Sequence, residues 1–168
     1  MKKLILGLLL LGLTTQIYAQ DPVPTEQLPP IFVVHNYKYL SSSSAEDVAI
    51  PVEKLQLKVS DFDIKSLDIY TDENELYDVY FIIPEGKVLA SYNDKGDLLS
   101  TAERYKNIKL PIPVSKAIAE RFPNWYVSKN IYLVNYHDSG KTRKLYKITL
   151  ENGEQRIRVK VDDRGNFK

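Results

Sequence analysis

Two stretches of this 168-residue chain repeat one another at a fixed spacing. Leu76–Leu99 (LYDVYFIIPEGKVLASYNDKGDLL) runs parallel to Leu145–Lys168 (LYKITLENGEQRIRVKVDDRGNFK) at an offset of 69. The offset matches Leu76 with Leu145, Tyr77 with Tyr146, Val79 with Ile148, Val88 with Ile157, Tyr92 with Val161 and Gly96 with Gly165. Upstream, Ile50–Val59 (IPVEKLQLKV) resembles Ile112–Arg121 (IPVSKAIAER) at an offset of 62, so the second copy is seven residues longer, near 135–144. A single doubling points to two supersecondary units sharing one sheet, because a solenoid needs three or more repeats.

Each copy reads as one helix followed by antiparallel strands. In the second, Pro111 and Pro113 mark a helix start, where the missing N–H costs nothing. Val114, Ala117, Ile118 and Phe122 then share one face at helical periodicity, and Pro123 ends the run. Trp125–Tyr136, rich in aromatic and β-branched residues, reads as a long strand. In the first copy, Val52, Leu55 and Val59 support a short helix over Pro51–Ser60, with a first strand expected at Ile64–Tyr70.

The later strands alternate. Tyr77, Val79, Phe81 and Ile83 point one way, as do Val88, Ala90 and Tyr92 and their mates Tyr146, Ile148, Leu150, Ile157, Val159 and Val161. Pro84–Gly86 and Asn152–Glu154 close hairpins, and Gly96 and Gly165 sit where a turn needs positive φ. The expectation is an α+β fold of tandem helix-plus-antiparallel-sheet repeats sharing one sheet. Its helices lie on one face and water on the other. The repeats span 49–109 and 110–168.

The region before them is of another kind. Lys2 and Lys3 precede the apolar run Leu4–Leu13, and Ala19 offers a small residue before a cleavage point at Gln20. Ten apolar residues fall short of the roughly 20 that span a bilayer, so residues 1–19 read as a signal peptide. No Cys follows to take a lipid, and none exists anywhere, which removes disulfides, thiol catalysis and Cys-based metal sites. The expected product is periplasmic or secreted, without a transmembrane segment. Residues 20–48 form a Pro/Ser-rich segment: DPVPTEQLPP is held extended by four prolines, Ile31–Leu40 reads as a strand, and Ser41–Ser44 as a connector.

With these motifs in place, the chain resembles the PepSY-like secreted proteins with a β-lactamase-inhibitor-like fold. The resemblance rests on the signal peptide, on LPIPVSKAIAERFPNW with its Phe-Pro-x-Trp helix end, on VKVDDRGNF, and on YNDKGDLL in the first copy. It covers 49–168. The first copy departs from it, carrying Ser60-Asp61-Phe62-Asp63 in place of the Phe-Pro-x-Trp ending. The resemblance implies an exported, non-catalytic domain that binds or inhibits another protein through its open sheet.

Sites of chemistry are hard to find in the residues. Asp138–Thr142 (DSGKT) imitates the end of a phosphate-binding loop, but Asn135 stands where its first Gly belongs and a strand follows instead of a helix. His35 and His137 are the only imidazoles, 102 positions apart, too few for a catalytic zinc site. Asp72–Glu75 lacks the spaced oxygens of a calcium loop. No catalytic residue, metal or cofactor is expected. A formal charge of +1, about −1 once Lys2 and Lys3 are removed, argues against nucleic acid.

What remains is the outward sheet face. In the second copy it carries Lys147, Arg156, Arg158 and Lys160; in the first, Tyr80, Ile82 and Leu89. Basic residues beside tyrosine and aliphatic side chains suit a protein, peptide or envelope polymer. Two other readings stay open: an envelope hydrolase using acids and tyrosines, and a structural subunit that adds Ile31–Leu40 as a strand to a partner's edge.

Overall fold

The computed structural model describes residues 36–43, 47–71, 73 and 75–168. Strands β1 (Leu76–Ile83), β2 (Gly86–Asn93), β3 (Leu98–Lys106), β4 (Tyr126–His137), β5 (Arg143–Asn152) and β6 (Gln155–Val161) form one antiparallel sheet in the order of the chain. Short loops join all of them but β3 and β4, so most pairing is local. Among the described residues three α-helices accompany the sheet: α1 (Tyr37–Ser43), α2 (Ile50–Ser60) and α3 (Ile112–Arg121). The fold is α+β with a six-stranded antiparallel sheet.

Helices α2 and α3 lie where the apolar spacing predicts them, each opened by a proline in its first turn. Val52, Leu55 and Val59 of α2 and Val114 and Ile118 of α3 are buried in a single core with Val88, Ala90, Tyr92, Tyr132, Tyr146, Ile148 and Leu150 of the sheet. The Tyr92 hydroxyl donates to the Val59 carbonyl at 3.1 Å, tying the end of α2 to β2. Gly96 and Gly165 take φ of +83° and +90° in the turns that the sequence assigned to them. At Gly165 a Cβ would also stand 2.8 Å from the Pro113 carbonyl oxygen, so this turn is pressed against the start of α3.

One expected strand is not a strand, and another is helical over its described part. Over Ile64–Tyr70 the chain makes a single 3-10 turn, Ile64–Ser66, capped by Asp63, whose carboxylate accepts from the Lys65 N–H at 2.9 Å. Ile64 is buried there, so its apolar character serves packing under the sheet rather than pairing within it. Of the strand expected at Ile31–Leu40, residues 31–35 lie outside the described residues and Tyr37–Leu40 are helical. The serine connector is corrected too: Ser41–Ser43 complete α1, while Ser44 lies outside the described residues. The hydroxyls of Ser42 and Ser43 donate back to the carbonyls of Lys38 and Tyr39, four residues earlier. What fixes this helix is Tyr39, 1% exposed, set edge-on to Tyr136 at 5.2 Å between ring centres.

Candidate functional site

The helical side of the sheet is closed. Beneath α1 and α2 the Glu103 carboxylate, 3% exposed, accepts four hydrogen bonds. Tyr39 (2.8 Å) and Thr101 (3.0 Å) donate their hydroxyls to Oε1, and the Gln56 amide (3.0 Å) and Tyr105 hydroxyl (2.8 Å) donate to Oε2. Burial pushes the Glu103 pKa above the ordinary carboxyl value, and the four donors offset this only in part. Burial likewise raises the Tyr39 and Tyr105 hydroxyls, reinforced by the Glu103 charge beside them. The network joins α1, α2 and β3, and both of its carboxylate oxygens are engaged.

No described element covers the opposite side of the sheet, and strand register says what it displays. Tyr80 of β1 pairs with Leu89 of β2, and Ile82 with Lys87. Tyr80 is 61% exposed and Ile82 71%, with Leu89 half-buried between strands. Lys87 stands opposite Arg104. Further along, Lys106 pairs with Ile131, Ile131 with Lys147, and Lys147 with Lys160, a row crossing four strands. The next row sets Lys129 against Thr149 and Thr149 against Arg158. Neighbouring strands lie about 4.8 Å apart, so these cations are close neighbours. Like charges directly opposite one another destabilise a sheet.

These two rows line a recess of about 450 Å³ bounded by Lys106, Lys129, Lys147, Arg158 and Lys160, with Ile131 and Thr149 between them. No carboxylate lines it. None of the five cations has an ion-pair partner among the described residues. The carboxylates that register places on this face are Asp78 and Glu151, and both are occupied. Asp78 accepts from the Ser91 hydroxyl, and Glu151 holds Arg156 at 2.8 Å and the Tyr126 hydroxyl at 2.9 Å. The Tyr126 hydroxyl and then Arg156 hold the Glu151 carboxyl below its ordinary range.

A scan of protein-family models and a search of curated proteins find no match for this chain.

All seven residues expected on the outer face lie there, but they do not form one cluster. Tyr80, Ile82 and Leu89 sit on β1 and β2; Lys147, Arg158 and Lys160 sit at the recess; Arg156 is drawn off by Glu151. Sequence reasoning missed Lys106 and Lys129. A β-bulge between Val127 and Lys129 reverses the alternation of β4, putting both Tyr126 and Lys129 on the outer side. Lys106 ends β3, whose pattern is broken by a register shift beside Leu99 and by the buried polar pair Thr101 and Glu103.

The loop Asp138–Thr142 is the turn between β4 and β5. His137 is exposed, its Nδ1 3.0 Å from the Asp138 carboxylate; His35, Asp72 and Asn74 lie outside the described residues. Among the described residues no group of three or more His, Asp or Glu is placed to hold a metal ion, and no helix is long and apolar enough to cross a membrane.

Proposed function

We propose that this chain is an exported, non-catalytic binding module that engages a protein, peptide or envelope polymer through the outer face of its sheet. The observation that carries the reading is the division of the sheet into a covered and an uncovered side. Among the described residues the buried core lies on the helical side, while the other side presents Tyr80 and Ile82 at one end and, at the other, cations without ion-pair partners. Tyrosine and arginine are favoured anchors at interfaces, and cations without counter-charges gain most from a partner that supplies them.

On this reading the doubled sequence is a doubled unit. The offset of 69 sets β1 and β2 against β5 and β6, and the offset of 62 sets α2 against α3. Joining the units edge to edge gives a sheet wider than either unit could build. The leader at 1–19 delivers it to the periplasm or the exterior, and the likeness to PepSY-like, inhibitor-like proteins agrees with such a role.

The hydrolase reading is weaker, because the carboxyl whose pKa is raised, Glu103, is sealed under two helices with both oxygens engaged. Strand addition by 31–40 loses its last four residues to α1. A comparison of affinity capture from envelope extracts tests the proposal. Wild type is expected to retain partners that Tyr80→Glu/Arg158→Glu releases, with equal thermal stability. Retention of the same partners by both forms would refute it.

A further inference from the structure

We propose that the recess between β3 and β6 takes a linear acidic polysaccharide, bound through Lys106, Lys129, Lys147, Arg158 and Lys160. This deepens the binding-module reading and rests on it. Three features choose the ligand.

The first is charge. Five cations surround one depression with no carboxylate at its wall, and Lys147 stands directly across from Lys160. A fold that keeps self-repelling neighbours on its surface is relieved by an anion, and one anion cannot reach all five groups. The ligand therefore carries several charges in succession.

The second is direction. The cations are arrayed across the strands, from Lys106 through Lys147 to Lys160, not along a free edge. A peptide that binds by strand addition pairs its backbone with a sheet edge, whereas here the backbone groups of β4 and β5 are already paired on both sides. A sugar chain has no backbone ladder to satisfy. Its rings can lie over Ile131 and the lysine stems while its acid groups meet the ammonium ends.

The third is side-chain type. Four of the five are lysines, point charges on flexible stems that can each follow an acid group along a chain without fixing its orientation. No aromatic ring lines the recess, so it offers no platform for stacked bases.

The near-zero net charge hides this surface from composition, because the acids that balance it lie elsewhere in the chain.

The test uses fluorescence anisotropy with labelled oligogalacturonate, oligoglutamate of equal charge, and single-stranded DNA, at low and at physiological salt. The proteins are wild type, Lys147→Glu/Lys160→Glu, Lys147→Gln/Lys160→Gln and Lys95→Glu, the last in the β2–β3 turn at the far end of the sheet. The expected result is binding of oligogalacturonate that weakens with salt and falls at least tenfold in both double variants, with Lys95→Glu unchanged. Oligoglutamate and DNA are expected to bind at least tenfold more weakly. The neutral pair preserves the test if charge reversal disturbs folding. The proposal is overturned if wild type fails to bind oligogalacturonate, if Lys95→Glu loses as much affinity as the double variants, or if oligoglutamate or DNA binds equally well. Those outcomes leave the broader reading standing if wild type still captures partners that Tyr80→Glu/Arg158→Glu releases.

Discussion

Replacing Glu103 separates the cost of burying a charge from the worth of the hydrogen bonds around it. In Glu103→Ala, three hydroxyls and one amide lose their acceptor in a region closed to water. At about 1 kcal/mol for each orphaned donor the loss is ~4 kcal/mol, a large share of the roughly 5–15 kcal/mol that holds a domain together. Glu103→Gln is milder. Its carbonyl keeps Tyr39 and Thr101 supplied, while its amide meets the Tyr105 hydroxyl and the Gln56 side chain. Gln56 Oε1 has no hydrogen-bond partner among the described residues and can turn to accept. A cost of ~1 kcal/mol follows.

The two variants also differ from wild type in pH dependence. Burial raises the folded pKa of Glu103 above 4.5, so the folded state binds this proton more tightly than the unfolded chain. The resulting stability is fully present below pH 4.5 and is lost as pH rises through the folded pKa, at up to about 1.4 kcal/mol per pH unit. Urea unfolding followed by Trp125, the single tryptophan, measures this at pH 5 to 8. Wild type is expected to gain stability on acidification within that range, and Glu103→Gln to lack the gain. Parallel pH profiles for the two proteins, or a wild type most stable at pH 8, would refute the reasoning.

Other outcomes follow from the same packing. Gly165→Ala should lower stability by roughly 1–3 kcal/mol, since its Cβ meets the Pro113 carbonyl at 2.8 Å in a left-handed backbone; a thermal melt decides this. For Asp162, burial acts upward on its pKa, but the N–H groups of Asn166 and Arg164, the Asn166 amide and Lys168 outweigh it and hold the carboxyl at about 2. Asp162→Asn should therefore flatten the acid limb of the stability curve, removing ~1–2 kcal/mol that wild type loses as pH falls from 3.8 toward 2. Lys160→Thr, which ends the repulsion with Lys147, should raise stability by about 0.5 kcal/mol at low salt and by less at high salt.

The parts of the fold that were readable in sequence are those where one physical signal acts alone. Helix α3 shows apolar spacing between two prolines, and β1, β2, β5 and β6 show alternation bounded by turn residues. Where two demands compete, the pattern fails. Ile64 is β-branched because a buried turn needs bulk, and Tyr37–Leu40 look strand-like because Tyr39 must reach the core from a helix. In β3, a buried carboxylate stands where alternation calls for an apolar side chain.

The outer face was legible on β5 and β6, where repeat and alternation agree. It was not legible on β3 and β4, because a register shift and a bulge decide which way Lys106 and Lys129 point. The recess is a product of register across four strands, which no linear pattern encodes.

The central claim is that the outer sheet face is the surface by which this protein meets its partner. Amine-reactive labelling of the bound and free protein, read lysine by lysine in a mass spectrometer, tests it most directly. Lys106, Lys129, Lys147 and Lys160 should be protected on binding, while the exposed helix lysines Lys54, Lys58 and Lys116 label at the same rate in both states. Protection of the helix lysines, with the sheet lysines unchanged, would contradict the account.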